Sequence, residues 1–117
     1  MNILLIEDEE PAANRIIKLI NQIDSSFTVI ETIVSVKSAL EWLKLNAQPD
    51  LILSDIQLAD GKSLEIFETL KVKCPVIFIT AYDEFVLKAL ELKCVDYILK
   101  PVNKDVLAEA IYKVQRL

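Results

Sequence analysis

Leu51-Ile52-Leu53-Ser54-Asp55 decides the fold, because it is a short, mainly apolar run that ends abruptly on a carboxylate. Three other apolar runs also end on polar residues: Asn2 to Ile6 before Glu7-Asp8, Val76 to Ile79 before Thr80, and Val95 to Leu99 before Lys100. Continuous apolar runs of this length are typical of parallel strands covered by helices on both faces. Because parallel strands point the same way, we expect these polar residues to meet at one edge of the sheet.

Helical patterns separate the predicted strands along the whole chain. Apolar residues recur at helical spacing in segments that begin near Ala13, Val36, Leu64, Val86 and Leu107. A further strand is predicted from Phe27 to Val34, and Glu31 within it indicates an edge position with one wetter side. The chain therefore alternates strands with helices, without repeats or linkers.

This alternation predicts an α/β fold with right-handed crossovers and three layers. With the second strand at an edge, the five parallel strands of this doubly wound (βα)5 unit should follow the order 2-1-3-4-5. The switch point of that order lies between strands one and three, which places Glu7-Asp8 beside Asp55. The only glycine, Gly61, ends a predicted loop and indicates a demanding backbone position.

The composition fits one domain with one core. The chain has 117 residues, of which 53% are hydrophobic and 26% charged. No segment is long enough to span a membrane, and the apolar start is too short for a signal peptide, so we expect a cytoplasmic protein with no membrane association. Cys74 and Cys94 share no short spacing with other metal ligands and are predicted to be reduced thiols.

The charged residues exclude several classes of function. There is no histidine, which removes the commonest zinc ligand, the usual base of a nucleophilic triad and an internal phosphohistidine relay. The net charge is −5 and the basic residues are scattered. Nucleic-acid binding needs clustered cations to neutralise phosphates, so we expect no binding of DNA by this segment itself.

The predicted edge collects an acidic cluster that needs a counter-charge. Two carboxylates about 4 Å apart repel by roughly 4 kcal/mol at the effective dielectric of a protein surface. Mg²⁺ prefers such oxygen ligands and would neutralise Glu7, Asp8 and Asp55. An aspartate carboxylate is also a known phosphoryl acceptor, and the transfer needs mainly positioning and charge neutralisation. Lys100 would supply a positive charge on the other flank, and Thr80 a hydroxyl donor.

Each of these residues also has a simpler explanation. Asp8 could cap the first helix, and Asp55 the turn to the third helix. Thr80 could be an ordinary strand residue and Lys100 a solvated charge, while an aromatic in a strand, such as Tyr97, is most often a core residue. Their convergence on one edge favours the functional interpretation.

Four separated motifs resemble a known family. They are Leu4-Leu5-Ile6-Glu7-Asp8-Glu9, Leu53-Ser54-Asp55-Ile56, Phe78-Ile79-Thr80-Ala81-Tyr82 and Asp96-Tyr97-Ile98-Leu99-Lys100-Pro101. In this order the motifs resemble the receiver domain of bacterial two-component response regulators over residues 1–117. The segments from Asp55 to Gly61 and from Thr80 to Glu84 look most like the LytTR class, that is, LytR- and AlgR-like regulators. The resemblance implies a flavodoxin-like, CheY-like fold.

The resemblance also implies the roles of the acidic residues. Asp55 would be the phosphoacceptor, which takes a phosphoryl group from a sensor histidine kinase. Asp8, Asp55 and the backbone carbonyl of Gln57 would bind Mg²⁺, with Glu7 acting through water. Many receivers carry aspartate where Glu7 stands, and the longer side chain changes how directly this residue would meet the metal.

The remaining motif residues would read out the phosphorylation. By the resemblance, Lys100 would contact the phosphoryl group, Thr80 would turn inward to bond it, and Tyr97 would change exposure when Thr80 moves. The Lys100-Pro101 bond is often cis in the family. The signal would pass through the face of the fourth helix, fifth strand and fifth helix, usually by homodimerisation. A LytTR domain that controls transcription would follow, so a chain that stops at Leu117 is expected to be a fragment or a single-domain regulator.

Three other functions were weighed against the receiver. A Mg²⁺ phosphatase with an aspartyl nucleophile usually needs a second carboxylate two positions later, where Gln57 stands. An FMN binder needs a phosphate-binding loop after the first strand, where the acidic run from Glu7 to Glu10 would repel phosphate. An EF-hand from Asp55 to Glu68 lacks a ligand and the required glycine. A receiver that binds its partner without phosphate remains an alternative.

Overall fold

The five apolar runs form one parallel sheet in a computed structural model that describes residues 1–117. The strands are β1 Asn2–Ile6, β2 Thr28–Ile33, β3 Leu51–Ser54, β4 Val76–Thr80 and β5 Asp96–Leu99. Their order is β2-β1-β3-β4-β5, with parallel pairing throughout, so the predicted order is confirmed. β2 is shorter than predicted because the Phe27 N–H still bonds to Asp24 O, at 3.1 Å, in the preceding turn.

Five helices cover both faces of the sheet. They are α1 Glu10–Ile23, α2 Val36–Leu45, α3 Leu64–Thr69, α4 Val86–Glu91 and α5 Lys104–Gln115. The apolar stripes of α1 and α5 pack with Ile3, Leu5 and Leu53 on one face. The stripes of α2, α3 and α4 pack against the other face of the sheet. The sheet and the helices on its two faces form the three layers that the alternation of strand and helix patterns predicts.

The central strands explain why the apolar runs are continuous. Leu4 and Ile52 contact one layer while Ile3, Leu5 and Leu53 contact the other, and all are buried. A strand buried on both faces has no solvent side, so it shows no alternation of polar and apolar residues. At the edge, β2 keeps its exposed residues, Glu31 among them, as predicted.

The loop after β3 contains an unpredicted short ladder. Gln57–Leu58 pairs antiparallel with Gly61–Lys62, and Gly61 has a φ of 147°, which only glycine adopts readily. At the tip of this ladder Asp60 reaches across to α2. Its Oδ1 accepts the Val36 N–H at 2.9 Å and its Oδ2 accepts the Lys37 N–H at 3.1 Å. These two hydrogen bonds lower the pKa of Asp60.

Other features of the chain agree with the sequence. Cys74 and Cys94 are free thiols, as predicted. The Lys100-Pro101 bond is cis, as the family resemblance implied. None of the helices has both the length and the apolar character needed to cross a bilayer.

Asp60→Ala should destabilise the fold, because the first N–H groups of α2 lose their acceptors. We expect a loss of about 1 kcal/mol in the free energy of unfolding near neutral pH, the usual worth of a helix cap. Since the native pKa of Asp60 is lowered, this contribution is present above its unfolded pKa and disappears as the pH falls through the native value.

Chemical denaturation of wild type and variant across the acidic range measures this difference. Glu41→Ala, which removes an exposed carboxylate from the body of the same helix, is the control and should change stability little. If the loss of unfolding free energy in Asp60→Ala stayed constant down to the lowest pH, the result would contradict a stabilising role for the ionised Asp60 carboxylate.

Candidate functional site

The strand register brings the predicted polar residues to one edge of the sheet. Ile6 of β1 pairs with Ser54 of β3, so the residues that follow these strands leave the sheet side by side. The Asp55 N–H donates to Ile6 O at 2.8 Å and extends the ladder by one bond. As a result, carboxylate oxygens of Glu7, Asp8 and Asp55 all lie within 4.8 Å of one another.

Lys100 reaches this cluster from the end of β5. Its Nζ donates to Glu7 Oε1 at 2.6 Å and to Asp55 Oδ2 at 2.8 Å. Both carboxylates are buried, with Glu7 1% and Asp55 7% exposed. Lys100 is therefore a bridge between two buried acids rather than a solvated charge.

Burial sets the electrostatics of these groups. Burial raises the pKa of Glu7, and the bond from Lys100 opposes this rise while the charge of Asp55 adds to it. Burial alone would lower the pKa of Lys100, but its bonds to Asp55 and Glu7 outweigh burial and raise that pKa. The ammonium is therefore firmly charged, as a bridging cation must be.

Neither Asp8 nor Asp55 caps a helix, so the simpler explanation for these two residues is wrong. Helix α1 has Glu9 at its N-cap, without a side-chain bond, so Asp8 does not cap it. Helix α3 has Ser63 at its N-cap, so Asp55 does not cap that helix. Asp8 makes no side-chain hydrogen bond and no ion pair within 4.0 Å, and its carboxylate lines an open cleft.

Two buried serines position the backbone of Asp55, and sequence reasoning missed both. Ser54 Oγ donates to Asp55 O at 2.8 Å, and Ser63 Oγ donates to the same carbonyl. The Ile56 N–H donates to Asp55 Oδ1 at 2.7 Å. The only sequence signal for Ser63 was a hydroxyl residue immediately before the predicted third helix.

Thr80 and Tyr97 both bond to Tyr82, which lies in the loop after β4. Thr80 is fully buried at the end of β4, and its Oγ1 accepts the Tyr82 N–H at 3.4 Å. The Tyr97 hydroxyl donates to the Tyr82 carbonyl. The ring of Tyr97 also packs near Phe78, with centroids 6.4 Å apart. The ring of Tyr97 thus packs against a core residue, and its hydroxyl bonds to the loop after Thr80.

A cleft of about 510 Å³ opens above the cluster. Asp8, Asp55, Gln57 and Lys100 line it together with residues of the loops after β3 and β4. Thr80 lies below its floor, because its side chain is completely buried. The structure therefore brings six of the seven predicted site residues to one edge, and Tyr97 lies within β5, three residues before Lys100.

The donor set fits a hard divalent cation. Three carboxylates against one ammonium leave an excess of two negative charges, and every available donor is oxygen. Both oxygens of Glu7 are already engaged, one by Lys100 and the other by the Glu9 N–H at 3.2 Å. Both oxygens of Asp55 are engaged as well, Oδ1 by the Ile56 N–H at 2.7 Å and Oδ2 by Lys100 at 2.8 Å. Asp8 is thus the one acid of the cluster whose carboxylate oxygens are both without a hydrogen bond.

Comparison with known proteins identifies the family of this chain. The family model "Response regulator receiver domain" matches residues 3–112. The sensory transduction protein LytR of Staphylococcus haemolyticus is 38% identical over 98% of this chain and 45% of its own length. The positive alginate biosynthesis regulatory protein of Pseudomonas aeruginosa is 35% identical over 99% of this chain and 48% of its own length. The chain therefore spans about half the length of these relatives.

Solved structures agree with the fold. The response regulatory domain of mrkE from Klebsiella pneumoniae superimposes with a TM-score of 0.89 at 26% identity, over 99% of this chain and 96% of that one. The receiver domain of HemR from Leptospira biflexa, described as non-phosphorylated, gives a TM-score of 0.82 at 26% identity, over 99% and 94%. The resemblance found in the sequence is confirmed: the chain belongs to the response regulator receiver domain family, with LytR and the alginate regulator among its relatives.

Proposed function

We propose that this chain is a phosphorylation-controlled switch in which Asp55 accepts a phosphoryl group from a sensor histidine kinase. The observation that carries the proposal is a cluster of three carboxylates, two of which bond to the ammonium of Lys100. In the transfer, an Asp55 carboxylate oxygen bonds to phosphorus while the bond from phosphorus to the kinase imidazole nitrogen breaks. The electron pair stays on that nitrogen.

The residues around Asp55 orient it for this step. Ile56 N–H and Lys100 hold one carboxylate oxygen each, and the two serines hold its backbone carbonyl, so the carboxylate plane is fixed before a donor arrives. The charged Lys100 stays beside Asp55 to balance the incoming phosphoryl charge. Receiver domains generally act as signalling switches rather than enzymes, and the proposal gives this chain no turnover beyond its own phosphorylation and dephosphorylation.

Receiver domains bind Mg²⁺ at an acidic pocket, and the cluster here fits that ion. Asp8, Asp55 and the backbone carbonyl of Gln57 would hold it, with Glu7 acting through water. When bound, Mg²⁺ supplies two positive charges that offset the repulsion between the carboxylates and the phosphoryl oxygens.

The output side of the proposal rests on a second surface. Several apolar side chains of α4, β5 and α5 are exposed: Leu87, Leu90, Leu99, Val106 and Tyr112. Tyr97 of β5 and Thr80 both bond to Tyr82, so a movement of Thr80 can reach Tyr97 through this residue. We propose that Thr80 moves toward the phosphoryl group, that Tyr97 follows, and that the apolar face then pairs with a second copy.

The relatives indicate what such a switch controls. Proteins named as LytR in Staphylococcus aureus are described as transcriptional regulatory proteins and extend well beyond the segment matched here. We propose a LytTR DNA-binding domain as the output in the intact protein and the cytoplasm as its location. DNA would be contacted only through that domain, since the present segment carries a net charge of −5.

Incubation with Mg²⁺ and acetyl phosphate should add the mass of one phosphoryl group to the protein, and Asp55→Asn should abolish the adduct. Intact-protein mass spectrometry measures both results. Asp83→Asn, which removes an exposed acid from the loop after β4, is the matched control and should leave the adduct unchanged. Chelation of Mg²⁺ should slow the reaction strongly. An undiminished adduct in Asp55→Asn would refute the acceptor assignment.

Lys100→Met should destabilise the protein in a pH-dependent way. Breaking a buried ion pair costs about 3 kcal/mol, and here it leaves Glu7 and Asp55 without their cation. Because Lys100 holds down the raised pKa of Glu7, that pKa should rise further in the variant. The loss of stability is therefore largest above the further raised pKa that Glu7 has in the variant, and it shrinks as the pH falls through that value and Glu7 binds a proton.

Urea unfolding across the pH range tests this sign. Lys88→Met removes an exposed ion pair with Glu68 and is the control, with an expected cost below about 1 kcal/mol at every pH. Mg²⁺ should recover part of the stability of Lys100→Met above neutrality. A deficit independent of pH would contradict the proposed charge balance.

Thr80→Val should separate phosphorylation from its readout, because valine keeps the shape of threonine without its hydroxyl. In protein labelled with 3-fluorotyrosine, the ¹⁹F resonance of Tyr97 should shift on phosphorylation of wild type and of Thr80→Ser. In Thr80→Val the adduct should still form while the Tyr97 resonance stays in place. An equal Tyr97 shift in all three proteins would show that the hydroxyl of Thr80 does not carry the signal.

A further inference from the structure

A second cavity opens at the edge of the sheet opposite the acidic cluster. Its volume is about 770 Å³, which lies within the range of roughly 300–1,000 Å³ that is usual for small-ligand sites. Its walls come from the segments that lead into β4 and β5, with Phe67 of α3 and the last residues of α5. None of these residues belongs to the proposed phosphorylation site.

The interior of this cavity is apolar. Phe78 is 1% exposed, and Phe67 packs edge-on against it with ring centroids 5.6 Å apart. Nine of the fourteen lining residues are hydrophobic. One of them is Cys74, and burial raises the pKa of its thiol to about 11. The thiol therefore stays protonated and adds to the apolar wall.

The rim of the same cavity is cationic. Every charged residue that lines it is a lysine: Lys71, Lys73, Lys93 and Lys113. Lys113 bonds to Asp96 at 2.9 Å, whereas the other three have no carboxylate within 4.0 Å. Two carboxylates also act on the lining cysteines, Asp50 on Cys74 and Asp96 on Cys94. Four lysines against two carboxylates leave a positive excess, which favours an anion on a protein with a net charge of −5.

The rim backbone is held in place without a ligand. Gln48 Oε1 accepts the Lys73 N–H at 3.0 Å and the Cys74 N–H at 2.9 Å, which fixes the segment before β4. Before β5, Lys93 has a φ of 61°, a left-handed conformation that glycine would adopt at lower cost. A preformed rim loses little conformational freedom when a ligand binds.

We propose that this cavity binds a small organic anion with an apolar body, of the aromatic carboxylate class. The apolar body would contact Phe67, Val72 and Leu92 above the buried Phe78, and the carboxylate would lie among the unpaired lysines of the rim. A neutral analogue would keep the apolar contact and lose the charge interaction. The proposal is independent of the phosphorylation of Asp55.

Titration of ¹⁵N-labelled protein with 1-naphthoate tests the site, and the neutral 1-naphthamide serves as the matched ligand. Naphthoate should shift the amide resonances of Val72, Cys74, Leu92 and Val95 in a saturable way, and naphthamide should bind about tenfold more weakly. Equal affinity of the two ligands, or shifts confined to the exposed face of α4 and α5, would overturn the proposal.

Charge variants complete the test. The double variant Lys71→Gln/Lys73→Gln should lower the affinity for naphthoate by about tenfold, since each exposed charge interaction is worth a few-fold in affinity. It should leave the affinity for naphthamide unchanged. The control double variant Lys37→Gln/Lys44→Gln makes the same change of charge on α2. It should leave the affinity for both ligands unchanged. If the two double variants lost naphthoate affinity equally, the loss would come from the overall charge of the protein, and this result would contradict a local site.

Discussion

The ammonium of Lys100 between the carboxylates of Glu7 and Asp55 is the interaction on which the site depends. Carboxylates gathered from β1 and β3 would repel one another in a buried place without a nearby cation. Lys100 balances part of that charge, and the remaining excess of two negative charges creates the demand for a dication. In the function proposed here, a phosphoryl group on Asp55 would bring further negative charge and would need the same cations.

The fold supplies this geometry through its parallel sheet. β1, β3, β4 and β5 end at one edge, so each contributes a residue of the candidate site without a long loop. The apolar layers hold the strands in register, and the buried hydroxyls of Ser54 and Ser63 hold the carbonyl of Asp55. At the opposite edge, four lysines line the cavity, and the carboxylates of Asp50 and Asp96 lie near its cysteines. The balance of charge is therefore negative around Asp55 and positive around the cavity.

Strong local patterns made most of this predictable from sequence. Continuous apolar runs identified β1, β3 and β4, and Glu31 identified the edge strand, from which the strand order followed. The short ladder from Gln57 to Lys62 was missed, because two-residue strands are too short to show a periodicity. The bond from Asp60 to α2 joins residues 24 positions apart, and no local pattern reports such a contact. Ser63 had no distinguishing pattern in the sequence, although its hydroxyl donates to the backbone carbonyl of Asp55.

Crystals grown with Mn²⁺ in place of Mg²⁺ test the central claim most directly, because the anomalous signal of Mn²⁺ locates it independently of the surrounding density. The account predicts one strong peak within ligand distance of the carboxylates of Asp8 and Asp55 and of the Gln57 carbonyl, with Lys100 still beside Asp55. A saturated crystal with no peak there, or with its strongest peak at another acidic surface, would contradict it.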